Sequence, residues 1–328
     1  MPSSIAKPPL VLQGMHGLGD SLHERAIVRE LMRENEVWLK TPWPQLFWDM
    51  PELHLIPLKS PIGWMAKNEQ RTAALYGRTL PPPGARTLTN GYLHRMPWGV
   101  QIHGSVLGTM ANVCGAAAAG DFRLPIAPEW ATKAEAVLMA LGDGRPLMIY
   151  RPPVALSEAN RVSSQAKVAR NPDLAASHAI LSAIRGRYFV VSLADLMGEH
   201  LTGPAFKADV EFHHGELDVE TIAAITAKAD LVFASPGFMT VMAQAVSAPL
   251  VCIFGGYEGK ESFSAGGRYS PWLPIEPINP CSCWQPLCKH DKTIDIRSAI
   301  ARIETFIAEH HENSANTEKT REPLATGG

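Results

Sequence analysis

The 328-residue sequence predicts an α/β protein built from two Rossmann-like domains facing a cleft. Length is the first ground, since it suits two hydrophobic cores of roughly 150 residues each better than a single one. The second is residues 146–256, where short apolar runs alternate with helical patterns, as in a parallel sheet covered on both faces. The third is that the first half opens with a strand–loop–helix–strand unit of its own.

That opening unit begins with PLVLQG (9–14), an apolar run ended by glycine. The loop GMHGLGD (14–20) follows, and then the helical pattern SLHERAIVRELMRE, with Leu22, Ala26, Ile27 and Leu31 on one face. EVWLKTP (36–42) reads as a second strand, stopped by proline. The next hundred residues are rich in proline and tryptophan, with short strands expected near 54–58 and 86–92 and a small-residue helix near 105–119. Two glycines and a proline in LGDGRP (141–146) mark the domain boundary. Beyond it strands are expected at 146–153, 188–194, 209–213, 230–235 and 249–256. Helices are expected at 175–186, at 218–229 with Asp218 as N-cap, and at 237–246. The resulting division is a first domain over 1–142, a second over 143–292, a helix over 293–311 and a disordered tail over 312–328.

Composition narrows the class. With 46% hydrophobic and 19% charged residues the chain is globular rather than disordered. A net charge of −2 gives no broad basic field, so stable nucleic-acid binding is not expected. No apolar run approaches the ~20 residues of a transmembrane helix, which leaves peripheral membrane contact open. The N-terminal run reads as a strand rather than a signal peptide. Two of the five cysteines, Cys114 and Cys252, fall in apolar segments, while Cys281, Cys283 and Cys288 cluster late. That is not a secreted disulfide framework, and a cytoplasmic protein is expected.

Ligands of open α/β sheets bind beyond the carboxyl ends of the strands. The loop from Gly14 to Asp20 lies there; its glycines permit close backbone approach, and the helix after it favours an anion. It is neither a dinucleotide fingerprint nor a P-loop. Asp20 reads either as the acidic N-cap of a helix starting at Ser21 or as a carboxylate facing the cleft, able to take a proton from an attacking hydroxyl. His16 and His23 are weaker polar candidates. Ser235-Pro236-Gly237 joins a buried strand to a helix, reading either as a tight turn or as a phosphate site on the helix N-terminus. Arg151 stands at a strand end, with Lys167 and Arg170 the other nearby cations. His213, His214 and Glu216 follow a short strand (209–213) and read as a solvated polar loop or as the lining of a pocket. Cys281, Cys283, Cys288 and His290 form C-x-C-x4-C-x-H, read either as packed thiols or as a metal site of unusual spacing.

Gly17-Leu18-Gly19-Asp20-Ser21-Leu22-His23 and its helix resemble the Gly-x-Gly-Asp motif that opens glycosyltransferase family 9, the ADP-heptose:lipopolysaccharide heptosyltransferases. ADLVFASPGFMTVMAQAVSAPLVCIFGG (229–256) is similar to the family's late strand–turn–helix–strand motif, and Pro280-Cys281-Ser282-Cys283 with Cys288 resembles its late region. The resemblance implies a GT-B fold and an inverting transfer of a hexosyl or heptosyl group from a nucleotide-sugar donor to a hydroxyl-bearing acceptor, a glycan or another. It implies no cofactor besides the donor, no required metal, and a last helix packed back on the first domain. Asp20 matches the catalytic aspartate. Gly17, Gly19, Arg151, Glu216, Ser235, Pro236, Gly237 and Thr240 are the donor-binding residues it suggests. The chain departs from the family where Asp-Thr-Gly and a following histidine are replaced by Ser235-Pro236-Gly237 and Thr240, and where a Lys-Arg-Trp-Pro-like block is not intact. A sugar-nucleotide epimerase or a non-catalytic sugar-nucleotide binding module remain alternatives. The donor, the acceptor and the oligomeric state stay open.

Overall fold

A computed structural model describes residues 7–58, 80–91, 104–141, 144–156, 169–194, 199–285 and 288–320. Lys167 and the end of the tail, 321–328, lie outside the described residues.

Two parallel sheets form the frame. The first is ordered β3-β2-β1-β4, from β1 (Pro9–Gln13), β2 (Glu36–Thr41), β3 (His54–Pro57) and β4 (Arg86–Thr89). The second is ordered β12-β11-β10-β5-β7-β9, with β5 at Leu147–Tyr150, β7 at Phe189–Leu193, β9 at Val210–Phe212, β10 at Leu231–Ala234, β11 at Leu250–Ile253 and β12 at Trp272–Ile275. A short antiparallel pair, β6 (Val154–Leu156) and β8 (Glu199–Leu201), stands beside it. The apolar runs at 147–150, 231–234 and 250–253 are buried along their whole length, as expected of strands covered on both faces. β12 has no counterpart among the sequence expectations, because Pro274 interrupts its apolar pattern. It is tolerated at the sheet's outer position.

The helices are α1 (Leu18–Leu31), α2 (Val106–Cys114), α3 (Pro128–Leu141), α4 (Leu174–Ile184), α5 (Val219–Ala227), α6 (Phe238–Ala245) and α7 (Ile296–Thr320). α2 ends at Gly115, whose φ of 68° gives a left-handed C-cap, short of the expected 119. α1 is not the one-sided amphipathic helix its pattern suggests. Every residue from Ser21 to Val28 is buried, His23, Glu24 and Arg25 included. One face lies on the first sheet and the other on α6, from the second half. A single apolar cluster therefore runs from Leu10 and Leu39 through Leu22 and Ile27 to Met242 and Leu250. α3, assigned by sequence to the first domain, packs against α5 of the second half, with Lys228 Nζ 2.9 Å from Glu135 Oε1.

Two expectations for the C-terminus are corrected. Among the described residues α7 packs against α4 and β12 of the second sheet, not on the first domain. The reason is that Ala299, Ile303 and Ile307 continue the apolar surface made by Ile180, Ile184, Leu231 and Ile275. Its backbone also stays helical to Thr320, through part of the segment expected to be disordered, since no glycine or proline interrupts it before Pro323.

Polar bonds lock α1 to the segment joining the halves. The Arg25 guanidinium is fully buried, forms two 2.9 Å bonds to Asp49, and donates to the carbonyls of Leu46 and Arg123. Arg29 donates to Asp49 and to the carbonyls of Asp121 and Arg123. On its other side that segment reaches the second half, where Leu124 N–H donates to Ala245 O at 2.8 Å. Burial lowers the Arg25 pKa while Asp49 raises it, and the net direction is downward. Removing the Arg25 charge leaves Asp49 to Arg29 alone, so the loss is about 2–3 kcal/mol rather than that of a fully stranded buried partner. Arg25→Met keeps the apolar stem and deletes the charge, so urea unfolding should show a loss of that size. A change under about 1 kcal/mol would show that the pair does not hold the halves together.

Candidate active site

The site lies where the N-termini of α1 and α6 meet. α1 begins at Leu18 with Gly17 as N-cap, so Asp20 occupies the third helical position; the N-cap reading of Asp20 is corrected. Its Oδ2 folds back over the cap and lies 2.5 Å from where a side chain on Gly17 would start. Gly19 faces the other half, and a Cβ there would come within 3.0 Å of Phe238 Cα. Any larger residue would push α6 away.

α6 is capped by Gly237, whose φ of 151° and ψ of −163° fall in a region open essentially to glycine alone. Among the described residues, no atom beyond its chain neighbours lies within 4 Å of the position a Cβ would take. The turn thus needs glycine for its backbone and leaves open space beside it. Neither helix has a side-chain cap bond at its N-terminus; Asp20 lies over the α1 end, while the α6 end has no acidic side chain in its first turn and is suited to an anion.

Arg151 follows β5 at the same edge. It donates to Leu193 O at 3.0 Å, and its guanidinium carbon sits 4.9 Å from the centroid of the Phe238 ring. Asp20, Gly17, Gly19, Arg151 and the Ser235–Gly237 turn are therefore brought to one place. Thr240 is not: it has no exposed surface, donates to Ser235 O at 2.9 Å and lies 3.4 Å from Cys252 Sγ. Its side chain braces the turn from within the core.

His213 is buried, with its Nε2 2.9 Å from Ser192 Oγ, and beside it runs a shallow pocket lined by Tyr150, Pro153, His178 and Phe206. Burial, helped by the positive charge of Arg151, keeps His213 below the usual histidine range. Glu216 is exposed; although burial works against its charge, hydrogen bonds from the backbone around His214 bring its pKa down. His16 is exposed on the loop. His23 is buried edge-on against Phe122, which pushes its pKa down to about 3 and makes it a neutral core residue. Arg170 pairs with the buried Glu258.

Sequence reasoning missed Glu24. One turn below Asp20, it is fully buried and its Oε1 accepts from Asn90 Nδ2 at 2.7 Å and from Met15 N–H at 3.3 Å. Burial pushes its pKa up to about 8, against the pull of those two bonds and with a small push from Asp20. The signal was its spacing four residues from Asp20, obscured because the helix looked one-sided.

No protein-family model and no curated protein sequence matches the chain. Solved structures do. A family 9 glycosyl transferase from Veillonella parvula superposes with a TM-score of 0.61 at 12% identity, over 93% of this chain and 99% of that one. The Escherichia coli ADP-heptose lps heptosyltransferase II gives 0.54 at 11% identity, over 92% and 99%. The iron-containing dodecameric glycosyltransferase TibC of enterotoxigenic E. coli gives 0.56 at 15% identity, over 94% and 78%. The chain has their GT-B fold.

Glu24 makes a pH prediction with a definite sign. Its folded pKa of about 8 exceeds the ordinary carboxyl value of 4.5. Between those values the folded state holds a proton the unfolded state has lost, so stability falls as pH rises. His23, with a folded pKa of about 3 against 6.5, acts oppositely below 6.5. Glu24→Gln should therefore gain stability over the wild type progressively from pH 5 to 8 in thermal unfolding. A difference independent of pH would mean Glu24 is ionised in the fold.

Proposed function

We propose that this chain is a nucleotide-sugar-dependent glycosyltransferase that inverts the transferred sugar, with Asp20 as catalytic base. The observation that carries the reading is the meeting of two glycine-capped helix N-termini beside Arg151, with a carboxylate in the first turn of one of them. Those helix ends and Arg151 suit a diphosphate. The carboxylate suits a hydroxyl that must lose its proton.

In the reaction the acceptor hydroxyl gives its proton to the Asp20 carboxylate while its oxygen attacks the anomeric carbon from the face opposite the leaving group. The bond from that carbon to the diphosphate oxygen breaks, and the electron pair leaves with the nucleoside diphosphate. The N–H groups at the start of α6 and the Arg151 guanidinium stabilise the growing charge. Ser235 and Pro236 shape the turn, and the nucleoside extends toward His213 and Glu216. Catalysis on this reading calls for no cofactor and no divalent ion at the diphosphate. The similar structures include an ADP-heptose heptosyltransferase, which makes an ADP-linked heptose or hexose the first donor to test. A glycan or another hydroxyl compound is the acceptor.

Thermal shifts with ADP-, UDP- and GDP-sugars test donor binding, and lack of stabilisation by any of them overturns the reading. Asp20→Asn should leave that shift within a few-fold in apparent affinity and lower turnover by about 10²–10⁴. Undiminished transfer would remove Asp20 as the base. An epimerised sugar nucleotide formed without any glycoside would replace transfer by epimerisation.

A further inference from the structure

The C-x-C-x4-C-x-H segment lies between β12 and α7, apart from the residues of the proposed reaction. We propose that Cys281, Cys283, Cys288 and His290 together bind one tetrahedral zinc or iron ion, which clamps residues 281–290 onto the end of the second sheet. The inference stands whether or not the chain transfers a sugar.

Geometry carries it. The four ligand atoms, three sulfurs and one ring nitrogen, all lie within 4.8 Å of one another. Cys281 Sγ is 3.4 Å from Cys283 Sγ, 4.0 Å from Cys288 Sγ and 3.1 Å from His290 Nδ1. With metal–sulfur bonds near 2.3 Å, the edge of a tetrahedral thiolate site is about 3.8 Å. The observed separations bracket that edge and exceed the roughly 2.05 Å of a disulfide.

The histidine is oriented for the task. His290 Nε2 lies 2.9 Å from Gln285 O, so that nitrogen carries the hydrogen and donates it. The lone pair of Nδ1 is then directed at the three sulfurs. A backbone carbonyl on the far ring nitrogen is the usual means of fixing the tautomer of a ligating histidine.

The backbone around the thiols is strained. Ser282 and Trp284, either side of Cys283, have φ of 48° and 57°, and among the described residues Ser247 is the one other non-glycine with positive φ. Left-handed conformations are unfavourable for residues other than glycine, a cost that surrounding structure must offset. Ligation of Cys281 and Cys283 by one ion provides that offset. Trp284 is buried against Tyr257, but Cys281 and Cys288 are exposed, so apolar burial anchors one side of the turn and leaves the thiols to the ion.

The loop is also seated for a structural role. Ser282 N–H donates to Gly256 O and Trp284 N–H to Tyr257 O, at 3.0 and 3.1 Å. The Tyr257 ring contacts both the Trp284 ring and the His290 ring. Gly256 has φ of 83°, and a Cβ there would lie 2.7 Å from Asp291 O, so strand end and loop are closely apposed. Four protein ligands would fill a tetrahedral sphere and leave no position for a substrate, which makes the ion structural. Three thiolates and an imidazole select zinc or iron over magnesium or calcium.

The test uses the full-length protein, produced with zinc and iron both in the medium and analysed for metal after extensive dialysis. About one ion per chain is expected, and which metal dominates separates the two. Cys283→Ser and Cys288→Ser should lower the metal content to background, while Cys114→Ala, elsewhere in the fold, should keep it. Should the variants fail to fold, the reduced and metal-stripped wild type is titrated with cobalt(II). A tetrahedral thiolate site gives intense visible absorption that saturates at about one equivalent. The proposal is overturned by wild-type protein with background metal and no such absorption, by metal retained in both serine variants, or by a disulfide among these cysteines in protein never exposed to oxidant.

Discussion

The contact on which the rest depends is that of α1 with α6. Each helix follows a strand of its own sheet, and each is buried on the side facing the other half. This is why a helix can carry His23, Glu24 and Arg25 in succession with none of them reaching water. Burying an unpaired charge costs several kcal/mol, so each group is dealt with separately. Arg25 receives Asp49 and backbone carbonyls, His23 stays neutral against Phe122, and Glu24 keeps a proton while Asn90 and Met15 bond to it. The same packing brings the glycine caps of the two helices together.

Close approach at Gly19 and backbone conformation at Gly237 serve one end. At Gly19 the absent side chain lets α6 come near; at Gly237 it lets the chain turn into α6 without a cap of its own. The result is two helix ends directed at one region. An anion at one such end gains about 0.3–1 kcal/mol when exposed and up to ~2 when partly buried. Arg151, fixed by Leu193 O and the Phe238 ring, adds a full charge whose position is set by both β7 and α6.

How much of this the sequence disclosed follows from the range of each cause. The second sheet was legible because Leu231–Ala234 and Leu250–Ile253 are continuous apolar runs between helical patterns, a local signal. The loop from Gly14 to Asp20 was legible from its glycines and its place after β1. The double burial of α1 was not, because the second face is covered by residues more than two hundred positions away. Asp20 was placed one turn role too early for the same kind of reason: a side-chain cap is the common way to start a helix, and here Gly17 starts it with no cap bond. The course of α7 was misjudged because an isoleucine stripe states that a helix packs but not against what. The cysteine segment was visible as spacing; only folding shows that Ser282 and Trp284 turn the thiols to a common centre.

Thr240 braces the Ser235–Gly237 turn from inside the core. Its hydroxyl lies inside, tied to Ser235 O and against Cys252, so it fixes the carbonyl side of the turn and leaves the outer side to the backbone. Pro236, itself buried, removes one N–H and restricts Ser235 to extended backbone. Position 235 therefore has a short hydroxyl and position 236 no polar side chain at all. On the proposed reading a turn made this way would meet a diphosphate through N–H groups and Arg151, with no acidic side chain of its own. Such contacts would then hold phosphates and place few demands on a sugar. Selection among sugars, on that reading, would fall to residues around Asp20.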